Sequence, residues 1–122
     1  MKTKNFSLRS RIKSFEYAFD GIHRFIRTEH NAWLHIAAAI AVFVLAAIVK
    51  VSREEVIELV FAVGLVWVTE IVNTCIEMTM DFISDSRKTE IKNIKDLSAG
   101  AVLIAAITAL VIGLIIFIPK FL

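Results

Sequence analysis

Apolar residues along this chain fall into four blocks that differ in spacing. Between Arg9 and Glu29, Ile12, Phe15, Phe19, Ile22, Phe25 and Ile26 recur every three or four positions, with Arg11, Lys13, Glu16, Asp20, Arg24 and Arg27 between them. That period predicts an amphipathic helix over 9–29, with a phenylalanine-rich face and a mainly basic one, suited to lying flat among lipid headgroups. The run over 32–49 is apolar throughout, with Trp33 as an interface anchor and Lys50 able to snorkel at the far end, and reads as a first membrane span. Ser52 followed by Arg53, Glu54 and Glu55 has the Ser-x-x-Glu form of a capping box, so a second helix opens there, apolar from Val56 and continuing to Asp81. A third span is expected over 97–118, stopped by Pro119, after a charged and partly helical connection at 82–96. Along it Ala101, Ala105, Ala109 and Gly113 repeat every four residues, a small-residue seam that would let helix backbones approach closely.

The second helix is longer than a bilayer requires. About 20 residues at 1.5 Å each carry it from Val56 across the hydrocarbon to Cys75, so Glu77 and Asp81 emerge at the headgroups with Glu70 a turn or more inside. By the helical period, Glu70, Asn73, Thr74, Glu77 and Asp81 share one stripe about 100° wide. Ile71, Val72, Cys75, Met78 and Met80 take the other side. Ionisable groups at the edge of hydrocarbon need a wet cleft, a partner or a cation, which makes this stripe the candidate functional site. Glu58, near the opposite end, is expected to snorkel to the other surface.

Composition settles the class. With 122 residues, 57% of them hydrophobic, and one proline, and a mean hydropathy of +0.72, the chain reads as a single all-α membrane domain over 1–122. Its net charge of +2 gives no argument for a nucleic-acid partner. The lone Cys75 excludes an internal disulfide and is expected to pack, and no secretory leader is expected. His23, His30 and His35 lack metal-ligand spacing. Eleven of the Lys and Arg residues lie in the N-terminal segment and the 82–96 connection, against three in the other loop and the C-terminus. The N-terminus and the carboxylate end of the second helix are therefore expected on the cytoplasmic side of the plasma membrane, where nucleotide is available.

Two chemistries suit the stripe. A proton-coupled transporter would use a membrane carboxylate as its proton carrier. A phosphotransferase would use carboxylates to hold Mg²⁺ and another to deprotonate the attacking hydroxyl. Lys95 and Asp96, on the same cytoplasmic edge, supply a cation for phosphates and favour the second. Gly21, Gly64, Gly100 and Gly113 are too dispersed for a phosphate-cradling loop, so any ATP site must be built from helices. A purely structural membrane subunit, with these side chains only capping, hydrogen-bonding or pairing with Lys92 or Lys95, is the third reading.

The stretch Glu70-Ile-Val-Asn73-Thr-Cys-Ile-Glu77-Met-Thr-Met-Asp81 resembles the signature E-x-x-N-[ST]-x-[IL]-E-x-x-x-D of the small, three-span prokaryotic diacylglycerol kinases, which include the undecaprenol kinases. Lys95-Asp96 followed by Ala99-Gly100-Ala101-Val102 looks like that family's second block, and Arg11, Lys13, Tyr17, Gly21 and Glu29 resemble its surface helix. The resemblance implies a homotrimer with shared active sites, taking ATP and Mg²⁺ and phosphorylating a lipid hydroxyl. It implies Glu70 as general base, Glu29 and Glu77 as metal ligands, and Asn73 as a support for that site. Tyr17, Lys95 and Asp96 would contact ATP, along with a basic residue that is either Arg9 or Arg11, while Glu70 and Ala99 would face the lipid. Ser86, Arg87 and Lys88 depart from the family pattern. Arg27 to Asn31, the Ser-Ala-Gly-Ala run after Leu97 and the Gly113 to Lys120 ending look more like the undecaprenol branch, which puts undecaprenol ahead of diacylglycerol.

Overall fold

A computed structural model describes residues 5–84 and 88–122; Lys2 and Lys4 of the tail, and Ser86 and Arg87 of the second connection, lie outside the described residues. Among those described, four α-helices follow in order: α1 (Leu8–Thr28), α2 (His30–Val49), α3 (Arg53–Ile83) and α4 (Thr89–Phe117), closed by a 3-10 turn over Ile118–Phe121. Three of them, α2, α3 and α4 with its closing turn, are long and apolar enough to cross a membrane. The chain divides into two compact units, one up to Ala37 and one from Ala38 onward.

In the first unit, Ser7 caps α1 by accepting the Ser10 N–H at 3.3 Å. Arg27 sits in the last turn, where a cation complements the exposed carbonyls. The helix stops at Thr28 because Glu29 is extended (φ −100°, ψ 119°), and the Glu29 N–H bonds back to the Phe25 carbonyl at 3.0 Å. Glu29 is thus the single residue between α1 and α2. Phe25 and Ala32 are buried, whereas Leu8, Ile12, Phe15, Phe19 and Ile22 are exposed.

The second unit is built on α3 and α4. The capping box expected from the sequence forms: the Glu55 N–H donates to Ser52 Oγ and the Ser52 N–H to Glu55 Oε1, both at 3.1 Å. Along α3 the residues buried are Leu59, Ala62, Val66 and Glu70, at spacings of three and four, and along α4 they are Ser98, Ala105 and Ile116. Leu59 and Ile116 join Ala46 of α2 in a small core, with Val42, Val51, Ile112 and Phe117 against it. Lys120 Nζ donates to Glu55 Oε1 at 3.2 Å, tying the closing turn to the first turn of α3. Two hydroxyls inside the spans are satisfied within their own helices, as an apolar surrounding favours: Thr69 Oγ1 donates to the Leu65 and Val66 carbonyls at 3.0 Å, and Thr108 Oγ1 to the Ile104 carbonyl at 2.8 Å.

Three details differ from the sequence reading. The connection is partly helical as expected, α4 beginning at Thr89, but Pro119 does not end all helical structure and sits near the start of the 3-10 turn, where its missing N–H costs nothing. The small-residue seam is only partly used within the chain. Ala105 is 2% exposed, but a Cβ on Gly113 would meet no atom within 4 Å and Ala101 is exposed. A four-residue spacing drifts about 40° per step around a helix, so the seam crosses the α3-facing line instead of following it. Cys75 is exposed, not packed, because it lies on the side of α3 away from Glu70.

The turn after α2 carries a local strain. Lys50 has φ 55°, and the Val51 N–H closes back on the Ala46 carbonyl at 3.1 Å. This left-handed position after a helix end favours glycine, and a residue with a Cβ costs about 1 kcal/mol more there. Lys50→Gly is expected to stabilise the folded protein by about that amount, seen as a higher thermal midpoint in detergent.

Candidate active site

The stripe on α3 runs from buried to open. Glu70 is 8% exposed, the one buried carboxylate among the described residues. One turn on, Asn73 Nδ2 donates to Glu77 Oε1 at 3.2 Å, which fixes the carboxylate of Glu77 along the helix. Both residues are half-buried. Asn73 Oδ1 is buried and has no hydrogen-bond partner among the described residues. A buried amide oxygen without a donor is costly, so this atom suits a donor beyond the described residues. Asp81 ends the stripe in the open, and Lys95 Nζ donates to its Oδ1 at 2.6 Å from α4.

The purely structural reading has the side chains of the stripe capping, hydrogen-bonding or pairing with Lys92 or Lys95, and it is Lys95 that reaches Asp81. Lys92 pairs instead with Asp96, four residues along α4, at 2.5 Å. Lys95 and Asp96, expected to meet a nucleotide, therefore each carry a counter-charge already. Asp96 also borders an open hollow of about 690 Å³ on the outer side of α4, lined by Asn93, Leu97, Gly100, Ala101 and Ile104. Ala99 is exposed, one residue past Ser98, which turns inward at 8% exposed. Sequence reasoning did not single out Ser98; its place three residues after Lys95, on the face that meets α3, was the available signal.

In the first unit, Tyr17 is 68% exposed and Glu29 is half-buried at the corner between α1 and α2. The Arg11 guanidinium stands over the Phe6 ring, 5.6 Å from its centroid. Glu29 belongs to the first unit and Glu70, Asn73, Glu77, Lys95 and Asp96 to the second.

Among the described residues no three His, Cys, Asp or Glu side chains form a metal-ligand group. That is no obstacle to Mg²⁺, a hard cation that takes one or two carboxylates and fills its shell with water and phosphate oxygens. The Glu77 carboxylate, held by Asn73 beside an amide oxygen that no described residue supplies with a donor, fits such a site and its attendant waters. Chemically, the stripe offers a buried carboxylate, a second carboxylate two turns away held by an amide, and a cation at the open end.

The chain is 41% identical over 108 residues to the undecaprenol kinase of Bacillus subtilis, covering 88% of each chain. It is 33% identical over 110 residues to the diacylglycerol kinase of Synechocystis sp., covering 89% of this chain and 63% of that one. The sequence model of the prokaryotic diacylglycerol kinases matches residues 16–117, nearly the whole helical region. The chain belongs to the prokaryotic diacylglycerol kinase family.

Proposed function

We propose that this protein is an integral membrane lipid kinase that moves the γ-phosphoryl group of ATP to the hydroxyl of a lipid alcohol, with undecaprenol as the preferred acceptor. The observation that carries the reading is the line of Glu70, Asn73 and Glu77 on one face of α3, with Glu70 buried and Glu77 tied to Asn73. The likeness to the undecaprenol kinase of Bacillus subtilis supports the acceptor. Diacylglycerol is the second reading, favoured by the Synechocystis relative.

In this reading Glu70 takes the proton from the lipid hydroxyl as its oxygen attacks the γ-phosphorus, and ADP leaves on the far side. Glu70 lies well inside the helix, where an alcohol entering from the bilayer can reach it, and Ala99 borders the same lipid. Glu77 and Glu29 would hold Mg²⁺, which would neutralise charge on the phosphates. Asn73 keeps the Glu77 carboxylate oriented. Lys95, Asp96, Tyr17 and Arg11 contact the nucleotide at the cytoplasmic surface.

The assembly proposed is a homotrimer in the plasma membrane, with the N-terminus and active site cytoplasmic. There α1 lies on the bilayer, its exposed Leu8, Ile12, Phe15, Phe19 and Ile22 in the acyl boundary. A trimer with shared sites lets one protomer complete another's ligand set. The test is incubation of the purified protein with radiolabelled ATP, Mg²⁺ and a panel of long-chain prenols and diacylglycerols, followed by lipid extraction. Label in undecaprenyl phosphate is expected. Label in phosphatidic acid alone would exchange the two acceptors, and no labelled lipid would end the kinase reading.

A further inference from the structure

The two ion pairs at the start of α4 differ in kind. Lys92 and Asp96 sit four apart on one helix with side chains 70% and 62% exposed, an arrangement that supports a helix and little else. Lys95 is more sheltered, at 36%, and its partner comes from another helix. Asp81 stands one turn beyond Glu77 on the same stripe, so the pair anchors the Lys95 ammonium to the helix that carries the expected metal ligand. A lysine ammonium has three donors, so one N–H given to Asp81 leaves two for phosphate oxygens. Its four-carbon stem is otherwise free to roam, and a tether removes that freedom before the nucleotide arrives.

We propose that Asp81 is a positioning residue for phosphoryl transfer: it holds Lys95 where the phosphates of the nucleotide will lie, without touching the reacting atoms itself. This rests on the reading of the chain as an ATP-dependent lipid kinase with Lys95 on the phosphates. The alternative, that Asp81 withholds Lys95 from the nucleotide, predicts the opposite sign. The pair is not enclosed, since Asp81 is 61% exposed, and the free donors of Lys95 remain within reach of an incoming anion.

The experiment is steady-state lipid phosphorylation by the full-length protein with ATP as the varied substrate, for the wild type, Asp81→Asn, Asp81→Glu, Lys95→Met and the Asp81→Asn/Lys95→Met pair. Asp81→Asn is expected to raise KM for ATP about three- to ten-fold with kcat within about two-fold, the scale of one partly screened, oriented charge contact. Asp81→Glu keeps the charge and should restore most of the affinity. In the Lys95→Met background the Asp81 change should add nothing, because its effect acts through Lys95. An unchanged or lower KM in Asp81→Asn, or full additivity in the double variant, overturns the proposal. A wild type that labels no lipid alcohol would instead remove the kinase reading. Asp81 is mostly exposed, so the neutral variant is expected to fold; if its thermal midpoint collapses, Asp81→Ser is read by the same two constants.

Discussion

Glu70→Gln is expected to lower the rate of lipid phosphorylation on the order of 10²- to 10⁴-fold, the usual scale when a general base is removed. The substitution changes little else. Glutamine has nearly the same volume, and at 8% exposed the side chain is held by its surroundings. The amide cannot accept the hydroxyl proton, so the attacking oxygen must lose it to solvent or not at all. Glu70 lies 11 residues before Asp81, about 16 Å along the helix axis, so KM for ATP should stay close to the wild-type value while kcat falls. Initial rates with labelled ATP and saturating prenol measure both. Near-normal turnover would take Glu70 out of its role and leave it a buried polar residue of the α3 and α4 interface.

How much of this was legible in the sequence depends on the range over which each feature is decided. The start of α3 is a local matter: Ser52 and Glu55 close a capping box with each other, and their spacing alone announces it. The stripe is also local, since a helical period carries Glu70, Asn73 and Glu77 to one face whatever surrounds them. That the connection is partly helical was legible, but the residue at which α4 starts was not, because a charged run suits a solvated helix as well as a loop, and only the partners decide. In the sequence Lys92 and Lys95 are not told apart as partners for the stripe. They lie about 60° apart around α4, which turns Lys95 to α3 and Lys92 to Asp96. The Lys120 and Glu55 contact joins residues 65 apart and depends on α3 and α4 matching in length, which no local pattern encodes. The left-handed Lys50 is hidden for a related reason. Glycine would have signalled the turn, and a lysine there conceals it.

Glu77→Gln is the second large effect, and it separates the two readings of the contact between Asn73 and Glu77. If Glu77 served only to accept the Asn73 N–H at 3.2 Å, glutamine would accept it equally well and the variant would be silent. If Glu77 is a Mg²⁺ ligand, the amide keeps the hydrogen bond and loses the charge, and the cation loses one of the one or two carboxylates it ordinarily takes. The expected result is a fall on the order of 10²-fold in kcat/KM at low Mg²⁺, partly recovered as Mg²⁺ is raised, with no change in the thermal midpoint without metal. Glu70→Gln should show no such recovery, because added metal cannot replace a proton acceptor. A Mg²⁺ titration of the two variants side by side therefore assigns the two carboxylates to different tasks. Parallel curves would mean that both act on the same step and that the division between base and metal ligand along α3 is wrong.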